Sequence, residues 1–375
     1  MHHINFVWKS LILCLIPPLI SCCSKDKLTI PLTENEVFNQ LLQEAPATLI
    51  DLEEISIDTV IIMPEHVLGT EIASFFSEPV FLGFPVRSII KVDDSLYVAN
   101  RQKIYVMDIE GIWQHSVGRH GRGPGEFASS VNIANNSKYI IALDYWNGRI
   151  QVFDHDLNLL FIQNKNLNDP LFWRNFSLTD NFLYLGLMPN SNDDLISIYS
   201  TDDFEHQIET FWPKIIPDGF QPGSFNNIII DVNNNENMAI TNLGLPYLFL
   251  LNPDRTIRDI IYFESSYYKE LKNPSANPIT VEGNTEQDLP GVKNFIQQLR
   301  INDDGSIYFT VRYNLYQIVP DDNQYHLKRV WHFVLDDQSL TENRPSSLHI
   351  TGMLIEDDML YFVSMSDGYV FRIPL

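Results

Sequence analysis

Short apolar runs alternate with polar turns along the chain, at a spacing that suits strands and seldom suits helices. The clearest instance is residues 116–154, SVGRHGRGPGEFASSVNIANNSKYIIALDYWNGRIQVFD. Gly118, Gly121, Gly123 and Gly125, with Pro124, exclude a regular strand or helix between 117 and 127. Val131-Asn132-Ile133, Tyr139-Ile140-Ile141-Ala142-Leu143 and Arg149-Ile150-Gln151-Val152-Phe153 then form β-rich runs. Asn135-Asn136-Ser137 and Asn147-Gly148 separate them, and Asn-Gly is a tight-hairpin signal. Leu159-Leu160-Phe161-Ile162 supplies a fourth strand. Four short antiparallel strands in about forty residues is the size of one propeller blade.

The rhythm recurs. Before this stretch come Val86 to Ile90, Leu96-Tyr97-Val98-Ala99, Ile104 to Asp108 and Ile112-Trp113-Gln114. After it, Phe182 to Gly186 and Leu195 to Tyr199 mark a third unit, and Ile228 to Ile230, Met238 to Ile240 and Tyr247 to Leu250 a fourth. Ile307 to Thr310 with Tyr316 to Val319 gives a fifth, and Leu360 to Val363 with Tyr369 to Ile373 a sixth. The second strand keeps returning as apolar-Tyr-apolar after a polar turn, as at Asp93-Asp94-Ser95 and Glu356-Asp357-Asp358. The expected fold is all-β: a six-bladed β-propeller of four-stranded antiparallel blades over residues 48–375. Thr33 and Glu36 have capping-box spacing, and Val37, Phe38, Leu41 and Leu42 share one helical face. A short helix is therefore expected up to Pro46. Residues 48–63 alternate like a strand that closes the last blade, and residues 264–292 read as a long insertion between blades four and five.

The first 21 residues carry Lys9 and a short apolar core, which fits a secretory signal and is too short to span a membrane comfortably. It ends Leu19-Ile20-Ser21-Cys22, so Cys22 is expected to be the lipidated first residue of the mature chain, with residues 22–47 as tether and short helix. The expected location is the cell envelope, on an outer membrane, facing the periplasm or the surface. Cys14 leaves with the signal and Cys23 has no partner further on, so no disulfide framework is expected. The formal net charge of −23 argues against nucleic acid as a partner and against docking on anionic lipid. It reads as a solvated acidic surface.

The motif G-R-x-G-x-G-P-G-E-F, followed by an apolar strand, an Asp and N-G-R-I-Q-V-F-D, resembles the NHL repeat. It resembles still more the six-bladed β-propeller lipoproteins of Bacteroidetes, which are NHL-like or TolB-like propellers. The match covers 117–154; elsewhere only the strand rhythm is shared. The resemblance implies a propeller and an exported location, and mostly leaves activity open. It also implies that Asp144 and Arg149 bond to backbone or to one another at a turn.

The glycine loop lacks the Gly-x-x-x-x-Gly-Lys-Ser/Thr of a phosphate cradle, so it reads as a crossing between blades. Arg119, His120 and Arg122 on it are candidates to hold a carboxylate or sulfate. Trp146 at a hairpin tip is a candidate sugar or peptide platform, and Arg149 completes the ligand-binding set. Residues 154–158 lack the Gly and distal Glu of a calcium loop and read as a β-turn, as do residues 233–237. His115, His120, His326 and His332 have no metal-site spacing, and no Gly-x-Ser-x-Gly elbow exists. No catalytic set, metal site or cofactor is therefore assigned. The first expectation is a binding or scaffold module for an envelope protein, peptide or glycan, tethered to the membrane by its lipid. The alternatives are a hydrolase or lyase with calcium or another divalent ion in the central channel, and a structural subunit of an envelope complex.

Overall fold

The computed structural model describes residues 36–62, 66–68, 88–100, 102–128, 131–164, 171–187, 194–215, 227–268, 295–322, 324–335, 348, 350–364 and 370–375. The expected signal peptide, Cys22, the Thr33 cap and the insertion beyond residue 268 lie outside them.

A helix α1 (Glu36–Leu41) precedes β1 (Ala47–Asp51), β2 (Asp58–Ile62) and β3 (Val67–Leu68). Blade one follows as β4 (Ser88–Val92), β5 (Ser95–Asn100), β6 (Lys103–Asp108) and β7 (Trp113–Val117). Blade two is β8 (Asn132–Asn135), β9 (Ile140–Asp144), β10 (Arg149–Phe153) and β11 (Leu159–Asn164). Blade three is β12 (Leu171–Leu178), β13 (Phe182–Leu187), β14 (Asp194–Ser200) and β15 (Gln207–Pro213). Blade four is β16 (Ile228–Val232), β17 (Met238–Asn242), β18 (Tyr247–Leu251) and β19 (Ile257–Glu264). Blade five is β20 (Ile296–Ile301), β21 (Ile307–Val311), β22 (Asn314–Asp321) and β23 (Gln324–Leu335). Blade six is β24 (Ile350–Glu356), β25 (Met359–Ser364) and β26 (Val370–Pro374), with β3 as its outer strand. Each sheet is an antiparallel meander, and the first strands β4, β8, β12, β16, β20 and β24 lie side by side in a closed ring. This is the expected six-bladed propeller.

The segment expected to close the ring does something different. β1 adds to the outer edge of blade four and β2 to that of blade five, both parallel to their neighbours, Ala47 opposite Ile260 and Asp58 opposite Trp331. Ring closure falls to β3, just beyond the expected stretch, antiparallel to β26. The apolar positions of 48–62 belong to two half-exposed fifth strands and to the connection between them, where Leu52 is buried and Ile55 packs on the core. The first and fourth strands of blades three and five, the fourth of blade four and the first of blade six also went unrecognised, because runs such as Gln207–Pro213 and Ile296–Ile301 mix polar with apolar side chains.

Apolar side chains fill the space between adjacent sheets. Ile133 and Ala142 of blade two meet Ile90 and Val106 of blade one, and Phe333 of blade five meets Phe362 of blade six at 5.1 Å. Nearer the axis a polar contact ties each blade to the next. Ser88 Oγ accepts from Ile133 N (2.9 Å), and Asn136 Nδ2 donates to Thr179 O (3.0 Å). Ser177 Oγ accepts from Val232 N (3.1 Å), and Asp231 Oδ2 from Ile301 N (2.9 Å). Arg300 Nε donates to Met353 O (2.9 Å), and Lys91 Nζ meets Glu356 Oε1 at 3.0 Å. Burial pushes the Asp231 carboxyl above the usual carboxylate range, against the pull of Arg300.

Helix α1 docks through Phe38, fully buried and edge-on to Tyr247 (5.2 Å) and Phe249 (6.0 Å) of β18. Val37, expected on the same face, is 38% exposed. Phe38→Ala is expected to destabilise the fold by about 3 kcal/mol or more, whereas Val37→Ala should stay within about 0.5 kcal/mol. Urea unfolding midpoints check this, and equal effects would mean that α1 is not docked as described.

Candidate functional site

Turns in an antiparallel meander alternate between the two ends of a sheet. The crossing from β7 to β8 therefore shares an end with the β9–β10 turn, and the glycine loop rests on that turn. Register places Arg149 opposite Asp144. Arg149 Nε donates to Asp144 Oδ2 (3.0 Å), Nη1 to Arg122 O (2.8 Å), and Nη2 to Gly123 O and Glu126 O (2.8 Å each). Gln151, two residues on and so on the same face of the strand, donates to Glu126 O (2.7 Å) and accepts from Gly125 N (2.8 Å). Asn147 Nδ2 bridges Gly121 O (3.0 Å) and Asp144 Oδ2 (2.8 Å), and Ala128 N donates to Asp144 Oδ1 (3.2 Å). A loop with few side chains of its own is thereby held by four side chains of the neighbouring hairpin.

The Asn-Gly pair does not form a two-residue hairpin. Tyr145–Asn147 makes one 3-10 turn, closed by Gly148 in the left-handed region (φ 62°) with its N–H on Tyr145 O. Gly118 is also required as glycine. Its φ is +103°, and a Cβ there would stand 2.6 Å from Gln102 O and from the Phe127 ring.

On this scaffold Glu126 accepts from Gly123 N (2.7 Å) and from Arg119 Nε (2.7 Å). The Gly123 N–H, then Arg119, hold its carboxyl below the usual range. Arg119 is 80% exposed beyond that contact. His120 Nδ1 lies 3.1 Å from Gln102 Nε2, which donates to it in the neutral Nε2–H tautomer. Arg122 is exposed at the loop's tip. Trp146 is 66% exposed, edge-on to Tyr145 at 5.3 Å.

Four of the five candidate residues thus share one solvent-facing end: Arg119, His120, Arg122 and Trp146. Arg149 does not join them. Its side chain is 7% exposed and its guanidinium is committed to Asp144 and three loop carbonyls, so it shapes the loop from beneath. Gln102, Glu126 and Gln151 went unnoticed, although Arg149 and Gln151 at i, i+2 beside a glycine run were a usable cue. Residues 154–158 and 233–237 are turns, as expected. Among the described residues no group of three or more His, Cys, Asp or Glu could hold a metal ion. His332, one of the scattered histidines, is 2.8 Å from Asn314 Oδ1.

A family model described as a 6-bladed beta-propeller matches residues 82–242, which contain the glycine loop and its hairpin. No curated protein matches the chain. Similar solved structures include a Bacteroides fragilis protein described as exported, with 13% identity over 85% of this chain and 88% of that one (TM-score 0.48). A protein of unknown function from Bacteroides thetaiotaomicron shows 10% identity over 78% and 70% (TM-score 0.46). Virginiamycin B lyase of Staphylococcus aureus shows 10% over 78% and 95% (TM-score 0.43). At these identities and scores the likenesses carry no inference about activity. Among the described residues no helix is long and apolar enough to cross a membrane.

Two expectations follow from the loop's construction. Arg149→Ala leaves Asp144 buried without its cation and Arg122 O without its donor, and should cost about 3–5 kcal/mol in urea unfolding. Arg119→Ala should leave the unfolding midpoint close to that of wild type, because the arginine itself stands in solvent. Second, the lowered Glu126 carboxyl contributes to folding above the ordinary glutamate value. That contribution is lost as pH falls through the lowered folded value. The Gly123 amide resonance should therefore titrate with a midpoint below about 4.3 and lose its titration in Glu126→Gln. A midpoint at or above that value would show the Glu126–Gly123 bond to be absent in solution.

Proposed function

We propose that the chain is a lipid-anchored envelope propeller that binds a protein, peptide or glycan on its glycine-loop end, acting as a binding or scaffold module. The observation that carries this reading is Trp146, 66% exposed on a turn that Asn147, Asp144 and Arg149 fix. An exposed Trp held on a rigid support supplies a large contact area at low entropic cost. Asn147 bonds to Gly121 O, which brings the Trp turn against the segment bearing His120 and Arg122. Those side chains and Arg119 offer donors for an anionic group of the partner, on a protein whose net charge is −23. Cys22 at the end of the signal-like segment supports attachment by acyl chains.

The test has two arms. Cys22→Ser should move the protein from the membrane fraction to the soluble fraction and abolish acyl labelling; unchanged fractionation would remove the anchor from the reading. For binding, envelope extracts and arrays of peptides and glycans are probed with wild type and with Trp146→Ala. The tryptophan variant should weaken the strongest hit by tenfold or more at unchanged stability. A hit indifferent to Trp146, Arg119 and Arg122 would place the binding surface elsewhere. A thermal shift lost on EDTA and restored by one divalent ion would replace the binder with the metal-centred enzyme.

A further inference from the structure

At the opposite end of the propeller axis the six first strands enclose a half-open cavity of about 480 Å³. Its wall is apolar in part, with Ile90, Phe176 and Ile355 facing groups that form hydrogen bonds. Every charge on that wall already has a partner. Arg300 Nη1 meets Asp231 Oδ1 at 2.8 Å, and the other Asp231 oxygen accepts from Ile301 N. Glu356 Oε1 holds Lys91 at 3.0 Å. Asp303 accepts from Asn234 N (2.9 Å) and from Asn234 Nδ2 (2.8 Å).

Hydrogen-bonding capacity remains nonetheless. Arg300 commits Nε and Nη1 and keeps Nη2. Glu356 keeps its second oxygen, and the Asn302 carboxamide has no partner among the described residues. The Arg300–Asp231 and Lys91–Glu356 pairs set opposite charges side by side, so a charged ligand loses at one member of each pair what it gains at the other. A neutral ligand with several hydroxyls does not meet this obstacle. Each hydroxyl both donates and accepts, so adjacent hydroxyls suit Arg300 and Asn302 as donors and Glu356 as acceptor. Its C–H face suits Ile90, Phe176 and Ile355. The volume falls within the range of small-molecule sites.

We propose that this axial cavity is a binding site for a neutral carbohydrate of mono- or disaccharide size, separate from the glycine-loop end. The test is calorimetric titration of the full-length chain with glucose, galactose, mannose, N-acetylglucosamine and their disaccharides. Glucuronate and glucosamine serve as charged counterparts. Saturable one-site binding of a neutral sugar is expected. Asn302→Ala and Arg300→Lys should each weaken it about tenfold, the loss of one good hydrogen bond. Arg300→Lys retains the charge beside Asp231, and Asn302→Ala removes a side chain with no partner among the described residues, so the fold should survive in at least one of them. Trp146→Ala should leave this binding unchanged, which separates its failure from that of the glycine-loop reading. Absence of saturable neutral-sugar binding would overturn the proposal. So would tighter binding of a charged counterpart, or an affinity that follows Trp146 and ignores Asn302.

Discussion

Six sheets set around an axis must each turn the free backbone edge of their first strand inward, and those edges need partners. Here the partners come from the next blade. Ser88 serves Ile133, Ser177 serves Val232, Asp231 serves Ile301, and Arg300 serves Met353. Where side chain and backbone do not meet in this way, Asn136 reaches Thr179 and Lys91 reaches Glu356. At these positions the inner edge of one blade is satisfied by a side chain of its neighbour, so the ring contributes to the stability of the blades that form it. The axial cavity follows from the same contacts. Its charges are paired because they are ties between blades, and its spare donors and acceptors are what the ties leave over.

The outer edges are managed differently. In the first five blades the fourth strand carries one unpaired extra residue just after it leaves the turn from the third: Gln114, Leu160, Ile208, Arg258 and Lys328. A bulge at that point raises local twist and spoils the edge as a template for further pairing. Blades four and five still accept β1 and β2, but only beyond the bulge, where regular pairing resumes. β3 then completes blade six. β1, β2 and β3, consecutive in the chain, thus lie along the outer edges of three consecutive blades. The ring is held at its seam by a two-residue strand and along the adjoining rim by ten more residues.

How much of this was legible in the sequence depended on whether a strand's chemistry is set by its own burial or by a distant partner. Second strands such as Ser95–Asn100 and Ile140–Asp144 are buried nearly throughout, and their apolar-Tyr-apolar or Ile-rich runs betrayed them. First strands contribute ties as well as core, so Arg300 or Asp231 looks misplaced until the neighbouring blade, 69 residues away, is beside it. Fourth strands face solvent on one side and are bulged, which breaks their alternation, as in Gln207–Pro213. At the candidate site the exposed residues were legible because Trp and Arg on glycine-rich turns have few structural uses. Arg149 was ambiguous from sequence. Its neighbour Gly148 marked the turn, but only the three loop carbonyls above it decide that it is a strut.

Turn chemistry also accounts for where the acidity lies. At the end of the sheets opposite the glycine loop, Asp108, Asp154, Asp203 and Asp254 each accept a backbone N–H in the turn between third and fourth strands. In turns between first and second strands Asp304 does the same, while Asp180 and Asp303 accept from Ser137 N and Asn234 N of the neighbouring blade. Aspartate is favoured there for its ability to close a turn, and its charge comes with it. Because connections alternate ends, these carboxylates collect on one end, while Arg119, His120 and Arg122 stand on the other with Glu126 neutralised by Arg119. Part of the chain's acidity is thus a by-product of turn closure at that end of the described sheets. Arg119 and Arg122, exposed at the glycine-loop end, offer guanidinium groups to an anionic partner beside the exposed Trp146.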